Sequence, residues 1–323
     1  MGRRFKSGSK TGCTLCESSA CGQHQTLTEG FALKKILITG ATGQVGSKTI
    51  DCLLGANDVE IVAAVRSPEK AAGFAARGIA TVVLDLDDES THLPALKGID
   101  RLFVLTGYTV DMLRQSKALL DNAKKAGVQH VVHLGACGRD DTTVAHWAWH
   151  QFVERYIQWL GFSYTHLRPE TFMQNVLSYG GKRTINHGIL NAFVQEARLS
   201  WVDVDDVAAV AALALAHPEV HGGQTYRLGY DAMGFGELAG LLTKIVGQPF
   251  LYEPLAPEVF LAAMQSAGAE MAYMSCVYDH WKRYAAGTIP GADDTFDNFP
   301  VITGRQPTRW AEFIERHKAE FAY

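Results

Sequence analysis

The chain has 323 residues, of which 47% are hydrophobic and 20% are charged, and its formal net charge is −4. This is the composition of an ordinary globular protein that can bury a sizeable core. The small negative charge gives no electrostatic reason to expect nucleic acid as a partner, and no apolar run approaches the roughly 20 residues that span a bilayer. We therefore expect a cytoplasmic protein, monomer or homodimer, that binds neither nucleic acid nor membrane.

The first 33 residues differ from the rest because they are rich in Ser, Gly, Thr and Lys and nearly free of apolar side chains. They contain the pattern C-x2-C-x4-C-x2-H, formed by Cys13, Cys16, Cys21 and His24. These four side chains have the number and type of ligands of a tetrahedral zinc site. The loop lengths are not those of a common zinc motif, so we expect a disordered leader over 1–33 without metal, with zinc as the alternative. The other cysteines lie in core-like segments typical of reduced cytosolic thiols: Cys52, Cys137 and Cys276.

From Lys34 onward, short β-branched runs alternate with amphipathic segments. The runs predict strands over 34–40, 59–66, 79–86, 100–106, 128–136 and 162–169. The segments between them predict helices over 47–56, 67–78 and 111–127, and a fourth helix that contains HWAWH, residues 146–150. Such alternation is typical of the α/β class, with a Rossmann-type, doubly wound parallel sheet covered by helices on both faces.

After Pro169 the alternation ends. We predict a helix over 171–182, a strand and a helix within 199–218, a strand over 223–229, and a mostly helical remainder from Phe235. The predicted domains are an NAD(P)-binding Rossmann domain and a smaller, discontinuous, α-rich C-terminal substrate domain. Their expected ranges are 34–169 plus 200–232 for the first, and 170–199 plus 233–323 for the second.

The segment TGATGQVG joins the first predicted strand to the first helix and places Gly40, Gly43 and Gly46 three residues apart. Glycines at such a turn permit a tight bend and a close backbone approach to a ligand, and the helix N-terminus then faces a pyrophosphate. Because the triplet stands between a strand and a helix at the start of a strand–helix alternation, it predicts a dinucleotide site. A merely structural turn is the alternative.

The end of the second strand indicates which dinucleotide binds. NAD-specific sites carry Asp or Glu about 20 residues after the glycines, to hold the ribose 2′-hydroxyl. Arg66 stands twenty positions after Gly46, with Lys70 nearby. A cation there can pair with a 2′-phosphate, so we expect NADPH as cofactor with weaker use of NADH; the alternative is a solvated strand-end arginine. Asp85 and Leu86 end the third strand, where the adenine edge is expected.

The chain resembles the NmrA-like, atypical short-chain dehydrogenase/reductase family in six segments of matching order and spacing: LITGATGQVG, AAVRSPEKA, LDLDD, HVVHLGA, LRPETFMQN and WVDVDDVA. The resemblance covers roughly 34–320 and is greatest to small NAD(P)H-dependent reductases of quinones, triphenylmethane dyes or azo dyes. It implies an extended Rossmann domain with a small C-terminal substrate domain. The expected cofactor-binding residues are Gly40, Thr42, Gly43, Gln44, Val45, Gly46, Arg66, Lys70, Asp85, Leu86, Thr106, Gly107, Gly135, His150, Pro169 and Glu170.

The helix after the fifth strand bears on the mechanism. In the wider short-chain superfamily it carries Tyr-x-x-x-Lys, whose tyrosine donates a proton and whose lysine binds the nicotinamide ribose. The resemblance places His146 and His150 at these two positions. A zinc site would need further ligands, and a pair of core histidines is the other alternative. Because this helix lies beside the strand ends, we expect both histidines in the active site, His150 also on the ribose; Trp147 and Trp149 are expected to pack.

A Tyr-x-x-x-Lys does occur at Tyr278–Lys282, but it lies in the C-terminal region and we interpret it as coincidence.

Ketone reduction or sugar epimerisation needs an acid-base group for the alkoxide. The absence of the Tyr/Lys pair from the helix after the fifth strand therefore disfavours a nucleotide-sugar epimerase. Quinones, azo bonds and cationic dyes accept hydride more readily, and a proton can come from solvent or from a histidine that titrates near neutral pH. We therefore expect an NAD(P)H-dependent reductase with Tyr108, Phe172 and Tyr179 against a small aromatic acceptor.

A protein of a different class would share these features. A non-catalytic, NADP(H)-sensing regulator, the class of the founding family member, would also bind the dinucleotide and dispense with the Tyr/Lys pair. The full-length C-terminal region favours the reductase. Further aromatic residues, Trp201, Tyr273 and Trp281, either extend the acceptor pocket or fill the core.

Overall fold

The structure, a computed structural model, describes residues 33–56, 58–179 and 182–323, so the cysteine pattern of the first 33 residues lies outside it. The strands in chain order are β1 Lys34–Ile38, β2 Val59–Val65, β3 Ala80–Val83, β4 Arg101–Val104, β5 His130–Leu134, β6 Ser163–Pro169, β7 Thr171–Phe172, β8 Ser178–Tyr179, β9 Lys182–Arg183, β10 Ile185–Asn186, β11 Ile189–Ala192, β12 Arg198–Val202, β13 Gln224–Leu228, β14 Asp231–Gly234 and β15 Leu251–Pro254.

The α-helices in chain order are α1 Gln44–Leu53, α2 Ala72–Ala75, α3 His92–Leu96, α4 Met112–Ala126, α5 Ala145–Trp159, α6 Val204–Ala216, α7 Pro218–His221, α8 Phe235–Val246, α9 Pro257–Ser266, α10 Met271–Ala285, α11 Phe299–Thr303, α12 Trp310–Arg316 and α13 Lys318–Phe321. Short 3-10 helices cover Pro68–Ala71, Glu89–Thr91 and Met173–Val176.

The central sheet has seven strands in the order β13-β6-β5-β4-β1-β2-β3, and all six pairings are parallel. This is the order of a doubly wound nucleotide-binding sheet with one strand added at the β6 edge. The chain reverses direction across the sheet between β1 and β4, and ligands of such folds bind at the carboxyl ends of the strands beside that reversal. The fold predicted from the sequence is confirmed.

Alternation of side chains along the strands explains why helices cover both faces. Ile36 and Ile38 of β1 face a core shared with α1 and α6, whereas Leu37 faces a core shared with α3, α4 and α5. A third core lies in the C-terminal region, where the buried rings of Trp201 and Trp310 pack edge to face with centroids 5.1 Å apart.

The helix predicted over 171–182 is wrong. Among the described residues of this stretch, Met173–Val176 form a 3-10 turn, β7 pairs in parallel with β12, and β8 pairs antiparallel with β9. Tertiary pairing of Thr171 and Phe172 with β12 outweighs the helical pattern. Within the described ranges, no helix combines the length and the apolar character needed to cross a membrane.

Candidate functional site

A cavity of about 840 Å³ lies at the carboxyl ends of β1 to β5 and is closed on one side by α9 and α10. Its size is that of a ligand pocket for a cofactor or a drug-sized molecule. Sixteen of the residues expected in the site line it: Gly40, Thr42, Gly43, Gln44, Val45, Arg66, Lys70, Asp85, Leu86, Thr106, Gly107, Tyr108, Gly135, His150, Phe172 and Tyr179.

Four expected residues do not line the cavity: Gly46, His146, Pro169 and Glu170. The Glu170 carboxylate is buried and accepts a hydrogen bond from Arg227 at 2.9 Å. Burial raises the pKa of Glu170 to about 7, against the opposing effect of Arg227. The side chain is therefore engaged within the protein and does not face the cavity, and Pro169 ends β6 beside it.

The glycine turn has the geometry that a pyrophosphate needs. Gly40 adopts a φ of 59°, in the left-handed region that favours glycine. A Cβ on Gly46 would lie 2.3 Å from the carbonyl oxygen of Gly40, so only glycine allows α1 to approach the turn this closely. The first residues of α1, Gln44 and Val45, line the cavity, and Gly43 at the N-cap position provides no side-chain cap. The helix N-terminus is thus available to an anion.

The charged residues of the cavity wall follow β2 and β3, at the end of the cavity that contains the glycine turn, called the nucleotide end below. Arg66 and Lys70 follow β2, and both are exposed. Asp87, which follows β3, accepts hydrogen bonds from Gln115 and Arg114, both at 2.8 Å, and these bonds hold its pKa below the usual value. Arg66 also lowers the pKa of Asp87 through its charge, but within the described ranges it forms no direct ion pair, so its guanidinium is available to a ligand.

His150 is a buried residue of α5 whose ring reaches the cavity wall. Its Nδ1 lies 3.3 Å from Nε2 of His133, a fully buried residue of β5. Nε2 of His150 has no partner among the described residues. Burial, together with the smaller effect of His146, lowers the pKa of His150 to about 3. His150 is therefore neutral at pH 7 and can offer the cavity a hydrogen bond but no charge.

His146 lies one turn earlier on α5, away from the cavity. Its ring contacts His280 and Tyr273, with centroids 5.2 and 5.9 Å apart, and burial lowers its pKa to about 4. The expectation of an active-site histidine that titrates near neutral pH is therefore wrong, because desolvation keeps both rings uncharged. Trp147 is buried against His280, as expected for a packing residue.

Behind His150 the described residues contain one group with the spacing of metal ligands, His133, Glu154 and His166. Arg168, however, donates to both oxygens of Glu154, at 2.9 and 2.6 Å. The carboxylate is already neutralised by a guanidinium, which would repel a cation placed among these side chains. The Glu154 carboxylate is thus engaged by Arg168 and is not free to act as a metal ligand.

The side of the cavity formed by α9 and α10 could not be assigned from the sequence. Met264, Tyr273 and Met274 project from these helices into the cavity wall, opposite Tyr108 on the loop after β4. Asn175 and Ser178 also line it, within the stretch that was predicted as a helix. The positions depend on how the C-terminal helices pack, and the local sequence carries no signal for that.

Tyr278 and Lys282 lie on α10 outside the cavity lining, and the Tyr278 hydroxyl donates to Glu258 at 2.8 Å.

Comparison with known proteins gives consistent matches. The model of the NmrA-like family matches residues 32–314. The chain is 32% identical over 288 residues to an NAD(P)H azoreductase of Xenophilus azovorans, covering 88% of this chain and 99% of that protein. It is 31% identical over 236 residues to quinone oxidoreductase 2 of Escherichia coli K12, covering 72% and 82%. The solved structure of an NADPH-dependent quinone oxidoreductase from Escherichia coli in complex with NADPH is similar with a TM-score of 0.75 at 28% identity, covering 87% of this chain and 99% of that one. The chain belongs to the NmrA-like family.

Proposed function

We propose that this protein is an NADPH-dependent reductase that transfers hydride to a small aromatic acceptor of the quinone, azo dye or triphenylmethane dye class. The observation that carries the proposal is a cavity whose two ends differ in chemistry. One end has the glycine turn with Arg66 and Lys70, and the other has uncharged, mainly aromatic and thioether side chains. Azoreductase and quinone oxidoreductase relatives support the assignment.

The residues of the nucleotide end fit NADPH. The backbone N–H groups at the start of α1 suit the pyrophosphate, because Gly46 lets the helix approach the turn. Arg66 and Lys70 would hold the 2′-phosphate, and this pairing favours NADPH over NADH. The uncharged His150 would contact the nicotinamide ribose through Nε2, with His133 fixing the orientation of the ring. The bound cofactor supplies the hydride.

The acceptor end suits a flat, weakly polar molecule. Tyr108, Phe172 and Tyr179 would flank the acceptor, with Met264 and Met274 as adaptable walls. Among the described residues that line this end, none is charged. Such a wall excludes water around the acceptor and orients it, while hydride transfer needs little further help because these acceptors delocalise or cancel charge.

We further propose that the Rossmann domain comprises 34–169 plus 200–232 and the substrate domain 170–199 plus 233–323. β13 completes the central sheet, whereas α9 and α10 form the acceptor wall. We place the protein in the cytoplasm, because Cys52, Cys137 and Cys276 are free thiols.

The test is oxidation of NADPH by the purified protein with a panel of quinones, azo dyes and triphenylmethane dyes, followed by loss of NADPH absorbance. Cofactor binding is measured separately by quenching of tryptophan fluorescence. We expect acceptor-dependent oxidation, faster with NADPH than with NADH. NADPH binding without oxidation by any acceptor would contradict the reductase and favour the NADP(H)-sensing regulator.

A further inference from the structure

Reduction of a quinone or an azo bond consumes a proton as well as a hydride, and α5 does not provide a suitable donor. His146, at the position where the superfamily carries its tyrosine, does not line the cavity and stays neutral. His150 lines the cavity but is equally uncharged at pH 7. A neutral imidazole is a weak acid, so neither ring is suited to donate a proton.

The side chain in front of His146 is Tyr273 of α10. Its ring is 4% exposed and lies 5.9 Å, centroid to centroid, from both His146 and Tyr108. Tyr273 lines the cavity, and its hydroxyl has no hydrogen-bond partner among the described residues. The hydroxyl remains accessible from the cavity, so an acceptor bound there can take its hydrogen bond.

We propose that the Tyr273 hydroxyl donates the hydrogen bond, and then the proton, to the heteroatom of the acceptor that gains negative charge. A tyrosine from the C-terminal region would thus supply the O–H group that α5 lacks. Burial raises the pKa of Tyr273, so the hydroxyl is protonated throughout the neutral range. The same burial raises the proton affinity of an oxyanion that develops on the acceptor, so the proton moves as that charge forms. This inference rests on the proposed reductase function and assigns a catalytic residue to it.

The chemistry of the acceptors makes the role specific. A quinone takes up one hydride, two electrons with one proton, and its oxyanion then takes the Tyr273 proton to give the hydroquinone. An azo bond takes the same hydride and proton to give the hydrazo compound. Solvent reprotonates the tyrosinate. A triphenylmethane dye cation differs, because hydride alone converts it to the neutral leuco form and no proton is required.

The test compares wild type, Tyr273→Phe and a control, Tyr278→Phe, in single-turnover reactions with bound NADPH. The control makes the same chemical change on the same helix, but Tyr278 lies outside the cavity. We expect Tyr273→Phe to slow quinone and azo reduction by about 10- to 100-fold, the effect of one hydrogen bond to a developing charge, and to spare dye-cation reduction. NADPH affinity and melting temperature should be unchanged, since the ring stays and its hydroxyl bonds no atom in the described part of the protein.

Equal slowing with all three acceptor classes, or no slowing, would overturn the role of Tyr273 while leaving the reductase intact. If the wild type reduces quinones but not the dye cation, the solvent deuterium isotope effect on quinone reduction is measured instead. An isotope effect that is the same in the wild type and in Tyr273→Phe would refute the proposal. If none of the acceptors supports NADPH oxidation by the wild type, the reductase function is refuted, and the donor role of Tyr273 with it.

Discussion

The two nitrogens of His150 have separate tasks in the structure, and two substitutions can separate them. Nδ1 contacts His133 inside the protein at 3.3 Å, and Nε2 is left for the cavity. The amide of an asparagine reaches about as far as Nδ1, whereas that of a glutamine reaches about as far as Nε2. His150→Asn therefore keeps the contact to His133 and loses the proposed contact to the cofactor, and His150→Gln does the reverse.

The magnitudes follow from the neutral state of the ring. A hydrogen bond between uncharged groups contributes about 0.5–1.5 kcal/mol, so His150→Asn should raise the Kd for NADPH by about 2- to 12-fold. A buried ring nitrogen left without a partner costs about 1–3 kcal/mol, so His150→Gln should lower the free energy of unfolding by that amount. His150→Lys should bind NADPH but lose stability too, because it leaves His133 without its partner.

The assay pairs fluorescence titration of NADPH with urea unfolding on the same three variants. For His150→Asn we expect weaker NADPH binding with a near-normal free energy of unfolding. For His150→Gln we expect a lower free energy of unfolding with near-normal NADPH binding. If His150→Asn binds and oxidises NADPH as the wild type does, His150 is a core histidine and the cofactor contact is refuted.

Three other predictions concern charge, packing and pH. Arg66→Ala should weaken NADPH binding about tenfold, the lower end for a charge-assisted contact because Arg66 is exposed, and should leave NADH binding unchanged. If fluorescence titrations show the same loss of affinity for NADPH and NADH, Arg66 does not contact the 2′-phosphate. Gly46→Ala should cost about 1–3 kcal/mol of unfolding free energy and weaken NADPH binding, because its Cβ would meet backbone 2.3 Å away. The control Gly55→Ala, with nothing within 4 Å of the new Cβ, should do neither. The free energy of unfolding should also fall as pH drops from about 6.5 toward 4. Four buried histidines stay neutral in the folded protein, whereas the same side chains bind protons in the unfolded chain. The slope is up to about 1.4 kcal/mol per pH unit for each histidine. Glu170, with its pKa raised to about 7, opposes this between about pH 4.5 and 7, and urea midpoints that stay flat with pH would contradict the balance. The folded-state pKa falls to about 4 in two of the rings and to about 3 in two others: His130, His146, His150 and His166.

The sequence predicted the central sheet well because the relevant signals are local. Each strand of a parallel sheet is buried on both faces, so its apolar run stands out from the neighbouring helices. The glycine turn was also predictable from the sequence, because the requirement for glycine at position 46 arises from contacts with residues only five or six positions earlier in the chain.

The acceptor end was predicted only in part, because distant segments form it. Tyr273 was recognised as an aromatic residue that either lined the pocket or filled the core, and the packing of α10 against α5 decides this. Glu170 was expected at the cofactor, but Arg227, 57 positions later in the chain, engages its carboxylate. Neither contact leaves a pattern in the surrounding sequence.

The ionisation of His146 and His150 is a third kind of property, set by the surroundings and not by the residue type. A histidine on an amphipathic helix suggests a group that titrates near neutrality, yet here the C-terminal helices and β5 remove the water that would stabilise the charged ring. The charge of a lysine at position 150 would meet the same desolvation cost, whereas a neutral imidazole offers a hydrogen bond without a charge to solvate. The same burial that keeps His150 an uncharged hydrogen-bonding group makes His146 a poor acid. A phenol hydroxyl is a stronger acid than the N–H of a neutral imidazole, which is why the proposed donor is a tyrosine and not one of these histidines.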